Sequence, residues 1–192
     1  MRVPKKIILF VSGGGSNAKA IFNYFKSFNE VEFSLLICNN PKSAALTWAD
    51  EVGIPTKLVT KSTFQDVALL EELKAIQPDL LLLAGFLWMI PKPWLEVWPE
   101  EIINIHPALL PDFGGKGMYG MNVHKAVKAA QMNVSGMTIH RVNEHYDEGA
   151  ILLQARCSIA STDTAEEIAQ KVLKLEHFYY PRLVSQLLEV ES

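Results

Sequence analysis

The sequence predicts an α/β fold, in which a mostly parallel, twisted sheet has helices on both faces in a Rossmann-like arrangement. Short apolar segments alternate with segments of helical spacing through the first half of the chain, as in strand–helix–strand units. Leu80 to Ala84 is apolar throughout, which is typical of a strand covered on both faces. A glycine-rich turn, Ser12 to Asn17, separates the first apolar segment from the first helical one.

The first half is predicted to contain four strands and three helices. Residues 6–11 form a continuous apolar strand, and apolar residues recur at helical spacing over residues 17–28. Gly53 ends the second helix as a C-cap, and Pro78 follows the end of the third. The other elements are strands at 31–38, 56–59 and 80–84 and helices at 44–52 and 63–76.

The second half is predicted to add three strands and two helices to the same domain. Thr164 and Glu167 form a capping box at the start of the last helix, and Pro181 should kink or split it. No repeat or linker divides the chain, so we expect one domain over residues 1–192. The elements are strands at 102–106, 135–141 and 151–158, a loop at 107–122, and helices at 123–130 and 164–189.

Composition excludes several classes of protein. The chain has 192 residues, 49% of them hydrophobic, and a formal net charge of −3. This charge gives no electrostatic footprint for nucleic acid or an anionic membrane. The apolar segments are too short to span a bilayer, and no signal peptide is apparent. Cys38 and Cys157 lie in strand-like segments and are expected to be reduced, in a cytoplasmic protein.

The turn between the first strand and the first helix is a candidate phosphate site. Glycines at Gly13, Gly14 and Gly15 let backbone N–H groups approach an anion, and the helix beginning at Ser16 and Asn17 adds a positive dipole end. It is not a Walker A loop, since no Gly-Lys-Ser/Thr follows. The alternative is an ordinary tight turn with Ser16 or Asn17 as the helix cap.

Asn104 and His106 are the leading candidates for chemistry. Alternation places both side chains on one side of the strand at 102–106, and Pro107 then ends its ladder. Open parallel sheets bind ligands at this carboxyl edge. A carboxamide beside an imidazole can polarise a carbonyl and move a proton, although a histidine in such a place can also be purely structural.

Asp147 is a candidate partner for His106. As an acid between two strands, it can reach His106 and raise the pKa of the imidazole, or it can be a solvated turn residue. His140 is expected to be a hydrogen-bonded sheet histidine. The other histidines, His124, His145 and His177, lack metal-ligand spacing, so no metal is expected.

Two loops complete the predicted site. The glycine-rich loop at 112–120 can close over a ligand or be a flexible connection. The segment at 84–91 leaves the sheet at the same edge as Asn104. Its aromatic residues can belong to the core or form a wall of an apolar slot for a flat heterocycle.

These segments together resemble the folate-dependent phosphoribosylglycinamide formyltransferase family. The resemblance runs from Ser12-Gly13 to Glu176-His177 and covers nearly the whole chain. Its specific parts are the glycine-rich turn, Ala84-Gly85-Phe86, Asn104-Ile105-His106-Pro107 with Leu109-Leu110-Pro111, and Tyr146-Asp147-Glu148-Gly149. The Asn-x-His-Pro segment is common to folate formyltransferases in general. The phosphate turn narrows the resemblance to the members that act on phosphoribosylglycinamide.

The resemblance implies formyl transfer from 10-formyltetrahydrofolate to the amine of 5′-phosphoribosylglycinamide in purine synthesis, without a metal. Asn104, His106 and Asp147 match the catalytic trio, with Asn104 also contacting the folate. The first half would bind the substrate phosphate and the second half the folate, in a monomer or homodimer. Substrate contacts match Gly13, Gly14, Gly15, Ser16, Asn17 and Glu176, and folate contacts match Lys61, Leu87, Trp88, Met89 and Ile90.

Two residues depart from the family pattern. Trp88 stands where some members have arginine, and Leu173 stands where some have a polar substrate contact. Another folate-dependent formyltransferase, or a 10-formyltetrahydrofolate deformylase, remains the alternative, although such proteins have a further domain that we do not expect here. An NAD-binding module would leave Asn104, His106 and Asp147 without a role.

Overall fold

The computed structural model describes residues 3–190. Its strands are β1 (Lys5–Val11), β2 (Val31–Cys38), β3 (Thr56–Leu58), β4 (Leu80–Leu83), β5 (Ile102–His106), β6 (Val134–Arg141) and β7 (Ile151–Ser158). Its helices are α1 (Ser16–Phe25), α2 (Ala44–Glu51), α3 (Lys61–Phe64), α4 (Val67–Ile76), α5 (Lys92–Val97), α6 (Met121–Ala129) and α7 (Ala165–Leu188).

The predicted α/β fold class is confirmed. The strands form one sheet in the order β3-β2-β1-β4-β5-β6-β7. Strands β1 to β5 pair in parallel, whereas β6 pairs antiparallel with both β5 and β7. Alternation along β1 sends Ile7 and Leu9 into a core with α1, α2, α6 and α7, and Ile8 and Phe10 into a second core with α3, α4 and α5.

Three details differ from the sequence prediction. The single helix expected at 63–76 is two helices, because Asp66 caps a new helix by accepting a hydrogen bond from the Ala68 N–H. Helix α5 follows the aromatic segment, where the sequence pattern predicts no helix. Helix α7 is not split at Pro181, and the buried residues Tyr180 and Leu183 pack its flanking turns against the sheet.

The order of the strands fixes where a ligand can bind. From β1 the chain builds outward to β2 and β3, then returns to place β4 and β5 on the other side of β1. At such a switch point the loops after neighbouring strands diverge and leave a crevice at the carboxyl edge. The turn after β1 and the segment after β4 border this crevice. Within residues 3–190, no helix is long and apolar enough to cross a membrane.

Candidate active site

A cleft of about 440 Å³ lies at the carboxyl edge of β4 and β5. Its walls come from the start of α1, the segment after β4, the end of β5, the loop before α6 with the first turn of that helix, the end of β6 with the loop after it, and the middle of α7. Its polar residues include Asn17, Asn104, His106, His124, His140, Asp147 and Glu176. Its apolar residues include Leu83, Phe86, Leu87, Trp88, Met89, Ile90 and Leu173.

His106 is the last residue of β5 and is 3% exposed. Its Nε2 lies 2.8 Å from the carbonyl oxygen of Phe113. A carbonyl only accepts, so in the neutral ring Nε2 carries the proton and donates it to this bond. The other ring nitrogen, Nδ1, then faces Oδ2 of Asp147 at 3.4 Å.

His140 on β6 repeats this arrangement on the other side of the carboxylate. Its Nδ1 donates to the carbonyl of Arg141 at 2.8 Å, and its Nε2 lies 3.6 Å from Oδ1 of Asp147. The register of β5 and β6 pairs His140 with Asn104, whose Nδ2 is 3.1 Å from the same Nε2. Asp147 therefore lies between two imidazole nitrogens, and either nitrogen, once protonated, would face the carboxylate.

Burial determines the direction in which the pKa of His106 is shifted. Desolvation lowers this pKa below its ordinary value, and the attraction of Asp147 and the hydrogen bond to Phe113 only partly oppose it. The expectation that Asp147 raises this pKa is thus right for the contribution of Asp147 and wrong for the net shift. Burial also disfavours the charged form of Asp147, but the neighbouring His140 and His106 rings and the Gly115 N–H hold its pKa below the ordinary value.

The backbone around Asp147 is tightly determined. Asp147 adopts a left-handed conformation with φ of 59°, which is uncommon outside glycine. Its Oδ2 accepts a hydrogen bond from the Gly115 N–H at 2.9 Å. Two residues later, a Cβ on Gly149 would lie 1.7 Å from the carbonyl oxygen of Arg141, so only glycine fits. The carboxylate is therefore placed by close packing of the chain behind it.

The glycine-rich turn lies at the start of α1. Gly15 has φ of 69° and is the N-cap, so neither Ser16 nor Asn17 is the cap. Gly13, Gly14 and Ser16 are exposed, whereas Gly15 and Asn17 are buried. Asn17 Nδ2 donates to Glu176 Oε2 at 2.6 Å, and Asn17 Oδ1 has no hydrogen-bond partner in the part of the chain that is described. Burial raises the pKa of Glu176, although its bond to Asn17 opposes the shift.

The segment after β4 forms the apolar wall of the cleft. Leu87 and Met89 are each 45% exposed, whereas Ile90 is buried. Trp88 is half-buried, with its ring centroid 5.6 Å from that of Phe64. Lys61 lies at the exposed start of α3 and is not among the described residues that line the cleft, so its contact with a folate stays a prediction.

The comparisons with known proteins agree with this architecture. Residues 5–184 match the formyl transferase family. The chain belongs to that family.

Relatives within the formyl transferase family include plant and bacterial enzymes. A chloroplastic phosphoribosylglycinamide formyltransferase of Vigna unguiculata is 42% identical over 191 residues, which are 96% of this chain and 61% of that protein. The phosphoribosylglycinamide formyltransferase of Bacillus subtilis is 35% identical over 98% of this chain and 97% of its own length. The crystal structure of the Anaplasma phagocytophilum enzyme superposes with a TM-score of 0.86 at 33% identity, covering 96% of this chain and 86% of that one.

The structure also brings two histidines to the cleft that sequence reasoning left aside. His140 is hydrogen-bonded within the sheet as expected, but it also faces Asp147 and Asn104. His124 is 6% exposed, and its Nδ1 has no hydrogen-bond partner among residues 3–190. The pairing of β5 with β6 is the signal that would have found His140. Both cysteines are free, and the described residues contain no group of three or more His, Cys, Asp or Glu able to hold a metal ion.

Proposed function

We propose that this chain transfers the formyl group of 10-formyltetrahydrofolate to the amine of 5′-phosphoribosylglycinamide. The observation that carries the proposal is the cluster of Asn104, His106, His140 and Asp147 at the end of β5, beside an apolar cleft and a glycine-rich turn. Membership of the formyl transferase family and the named activity of the relatives support the same reaction.

The glycine-rich turn supports a phosphate site. A Cβ added to Gly13 or Gly14 would meet no described atom within 4 Å, and neither glycine has a positive φ. The fold itself therefore does not require glycine at these two positions, whereas a close approach by an anion would. The start of α1 has no side-chain cap and no acidic residue in its first turn, which leaves its N–H groups for the phosphate.

The pair of Asn17 and Glu176 supports recognition of the rest of the glycinamide substrate. Burial raises the pKa of the Glu176 carboxyl, and its hydrogen bond from Asn17 favours the ionised form. The unpartnered Oδ1 of Asn17 accepts hydrogen bonds only, so it selects a donor such as a hydroxyl or an amine. Asn17 belongs to the turn, and both residues line the cleft that also contains the catalytic cluster. A sugar with free hydroxyls fits this position.

The apolar wall supports the folate. Leu87, Trp88, Met89 and Ile90 present a hydrophobic surface to the cleft, and the Trp88 ring also packs on Phe64. A flat heterocycle buries its faces against such side chains while backbone groups bind its edges. The folate then lies next to Asn104, which places its formyl group beside the catalytic cluster.

The residues can perform each step of the transfer. Attack by the substrate amine on the formyl carbon makes an oxyanion, to which the Asn104 amide donates. Protonated His106 also donates to it, once its Nε2–H has exchanged the Phe113 carbonyl for the oxyanion. His106 then supplies a proton to the departing folate nitrogen, directly or through water, as the C–N bond to the folate breaks. Asp147 stabilises the charged imidazole and accepts the proton that the attacking amine loses. No covalent intermediate with the chain is needed.

The remaining parts of the proposal concern the whole protein. We propose one domain over residues 1–192, with phosphate binding in its first half and folate binding and catalysis in its second. It would be a monomer or homodimer in the cytoplasm, although the Vigna relative is named as chloroplastic.

One assay tests the proposal. Purified protein is given 10-formyltetrahydrofolate with and without 5′-phosphoribosylglycinamide, and both formylated product and free formate are measured. We expect formyl transfer that depends on the glycinamide, with little formate. Formate release without the glycinamide would favour a deformylase, and NAD binding at micromolar concentration without folate binding would favour a Rossmann-type module.

A further inference from the structure

Ser12 joins the two loops that border the switch point of the sheet. It follows β1 directly and is 9% exposed. Its backbone N–H donates to the carbonyl of Gly85 at 3.1 Å. Its Oγ accepts a hydrogen bond from the N–H of Leu87 at 3.0 Å. Two bonds in opposite directions thus connect the start of the glycine-rich turn to the segment that forms the apolar wall.

The opposite side of the turn is held by the loop that precedes α2. Asn40 Nδ2 donates to the carbonyl of Ser12 at 3.1 Å. The Ser43 hydroxyl donates to the carbonyl of Gly13. Ser43 also caps α2 by accepting from the Ala45 N–H. The turn is therefore fixed on one side to the body of the fold and on the other, through Ser12, to the wall.

The position of the apolar wall depends on the hydrogen bond from the Leu87 N–H to Ser12 Oγ. Between the end of β4 at Leu83 and the start of α5 at Lys92, the backbone has no helix or strand. Gly85 has φ of 78°, which lets the chain turn sharply after β4. A local change in the direction of the Leu87 N–H would move the Leu87 side chain, which is 45% exposed and lines the cleft.

We propose that Ser12 is a positioning residue that couples the two substrate sites. A phosphate bound by the turn would add to the hydrogen bonds that already fix the turn and further restrict the backbone from Ser12 to Gly15. The Ser12 hydroxyl then holds the Leu87 N–H, and the wall is ordered before the folate arrives. The proposal rests on the proposed function, because it takes the turn as the phosphate site and the wall as the folate site.

The coupling has a sign and a size. Each substrate should raise the affinity for the other by the same factor, since coupling between binding sites is reciprocal. Coupled sites typically change each other's affinity by about 5- to 150-fold. A single hydrogen bond acts at the lower end of this range, so we expect a factor of about fivefold. Replacement of Ser12 by alanine should reduce it to less than about twofold.

The test measures two ligands on the intact chain. Tetrahydrofolate, which has no formyl group to transfer, is titrated into the protein by calorimetry with and without saturating 5′-phosphoribosylglycinamide. The ratio of the two dissociation constants is the coupling factor. A purely structural role for Ser12 would weaken both binary complexes and leave this ratio unchanged.

The control variant is Ser43→Ala. It also removes a side-chain hydrogen bond to the turn, but on the side away from the wall. We expect weaker binding of the glycinamide and an unchanged coupling factor. Ser12→Cys retains a weaker acceptor and provides a second measurement where the alanine variant does not fold; its coupling factor should lie below that of the unaltered chain.

The outcomes separate the coupling from the proposed function. Loss of coupling in Ser12→Ala, with retention in Ser43→Ala, supports the proposal. Equal factors in the unaltered chain and Ser12→Ala, or a factor of one in the unaltered chain, would overturn the coupling while leaving formyl transfer intact. Failure of the unaltered chain to bind either ligand would overturn the proposed function itself.

Discussion

The two ends of the cleft are built from different parts of the chain. At the proposed phosphate turn the backbone would make the contacts, and Gly13 and Gly14 leave it without side chains. At the proposed catalytic cluster the side chains would make the contacts, and the backbone serves to place Asn104, His106 and Asp147. A site made of backbone N–H groups should be sensitive to added atoms, whereas a site made of side chains should be sensitive to the loss of charge or of a proton.

The substitution Asp147→Asn should have the largest effect and test the side-chain end directly. We expect kcat to fall by at least about a hundredfold, since a positioned acid–base group typically contributes 10²–10⁴. Both KM values should change much less, because the interaction strengthens only as charge develops. The pKa of His106, already lowered by burial, should fall further without the carboxylate, so the corresponding limb of the pH–rate profile should move to lower pH.

The neighbouring acid provides a matched control for this variant. Glu148 is exposed and is the next residue along the chain, so Glu148→Gln removes a charge from the same loop. It should leave kcat and the pH profile nearly unchanged. Near-normal kcat in Asp147→Asn would contradict the assignment and indicate that Asp147 is only a turn residue.

The substitution His140→Gln should have the second largest effect. His140 faces both Asn104 and Asp147, so its loss should displace the amide and the carboxylate together. We expect kcat to fall by about tenfold to a hundredfold, since a displacement of one ångström at a reacting group can cost about a hundredfold. Steady-state kinetics measures this, and circular dichroism checks the fold. A kcat equal to that of the unaltered chain would reduce His140 to a sheet residue.

Asp147 and His140 show how much of the candidate site the sequence can predict. Asp147 lies in a loop whose motif is recognisable, and Asn104 and His106 share one side of a strand with a clear end at Pro107. The sequence predicts only a sheet histidine at His140. Its contact with Asn104 depends on the pairing of β5 with β6, which joins residues 36 positions apart. Local patterns do not determine such a register.

The helices show the same limit. The capping box of α7 is predictable because it is contiguous, and both Thr164 and Glu167 take part in it. The glycine-rich turn is recognisable for the same reason, and its role as a phosphate site stays a prediction. The break between α3 and α4 is not predictable, because Asp66 is as compatible with a helix surface as with a cap. The net pKa of His106 was also beyond the sequence, since desolvation depends on every element that packs around the ring.

Glycine variants test the backbone end with a smaller expected effect. Gly14→Ala adds a methyl group where the described residues leave open space, so the fold should be unchanged. The methyl group should exclude a phosphate, and we expect about a tenfold rise in KM for the glycinamide, with the folate KM unchanged. A tenfold rise lies at the lower end of what the loss of a hydrogen bond to a charged group costs, which is about 1.5–3 kcal/mol.

Gly15→Ala is the matched contrast on the same turn. Gly15 has φ of 69°, and its Cβ would lie 2.8 Å from the Cβ of Ala45. The left-handed conformation alone costs a non-glycine residue roughly 1–2 kcal/mol. We therefore expect a lower Tm in Gly15→Ala and an unchanged Tm in Gly14→Ala. Equal effects of Gly14→Ala on both KM values would argue against a phosphate at the turn.

The smallest expected effect is on the pH dependence of folding stability, and it concerns a single histidine of the cleft, His124. Burial holds the pKa of His124 below its ordinary value of 6.5, and His106 lowers it further. As pH falls below about 6.5, the unfolded chain takes up a proton at this residue that the folded chain does not. Acidification therefore favours unfolding, and stability rises with pH between the lowered pKa and about 6.5.

The substitution His124→Gln removes this contribution while leaving the other buried groups in place. Burial lowers the pKa of His106 as it does that of His124, so His106 also makes stability rise with pH. Burial raises the pKa of Glu176, so Glu176 makes stability fall with pH. Because these groups are common to both proteins, the difference between them reports on His124. Between pH 7.5 and about 5.5, Tm should fall less in His124→Gln than in the unaltered chain, as measured by scanning calorimetry. Lys125→Gln, on the exposed side of the same helix, should show the same fall in Tm as the unaltered chain. An equal fall in Tm in all three proteins would contradict the lowered pKa of His124.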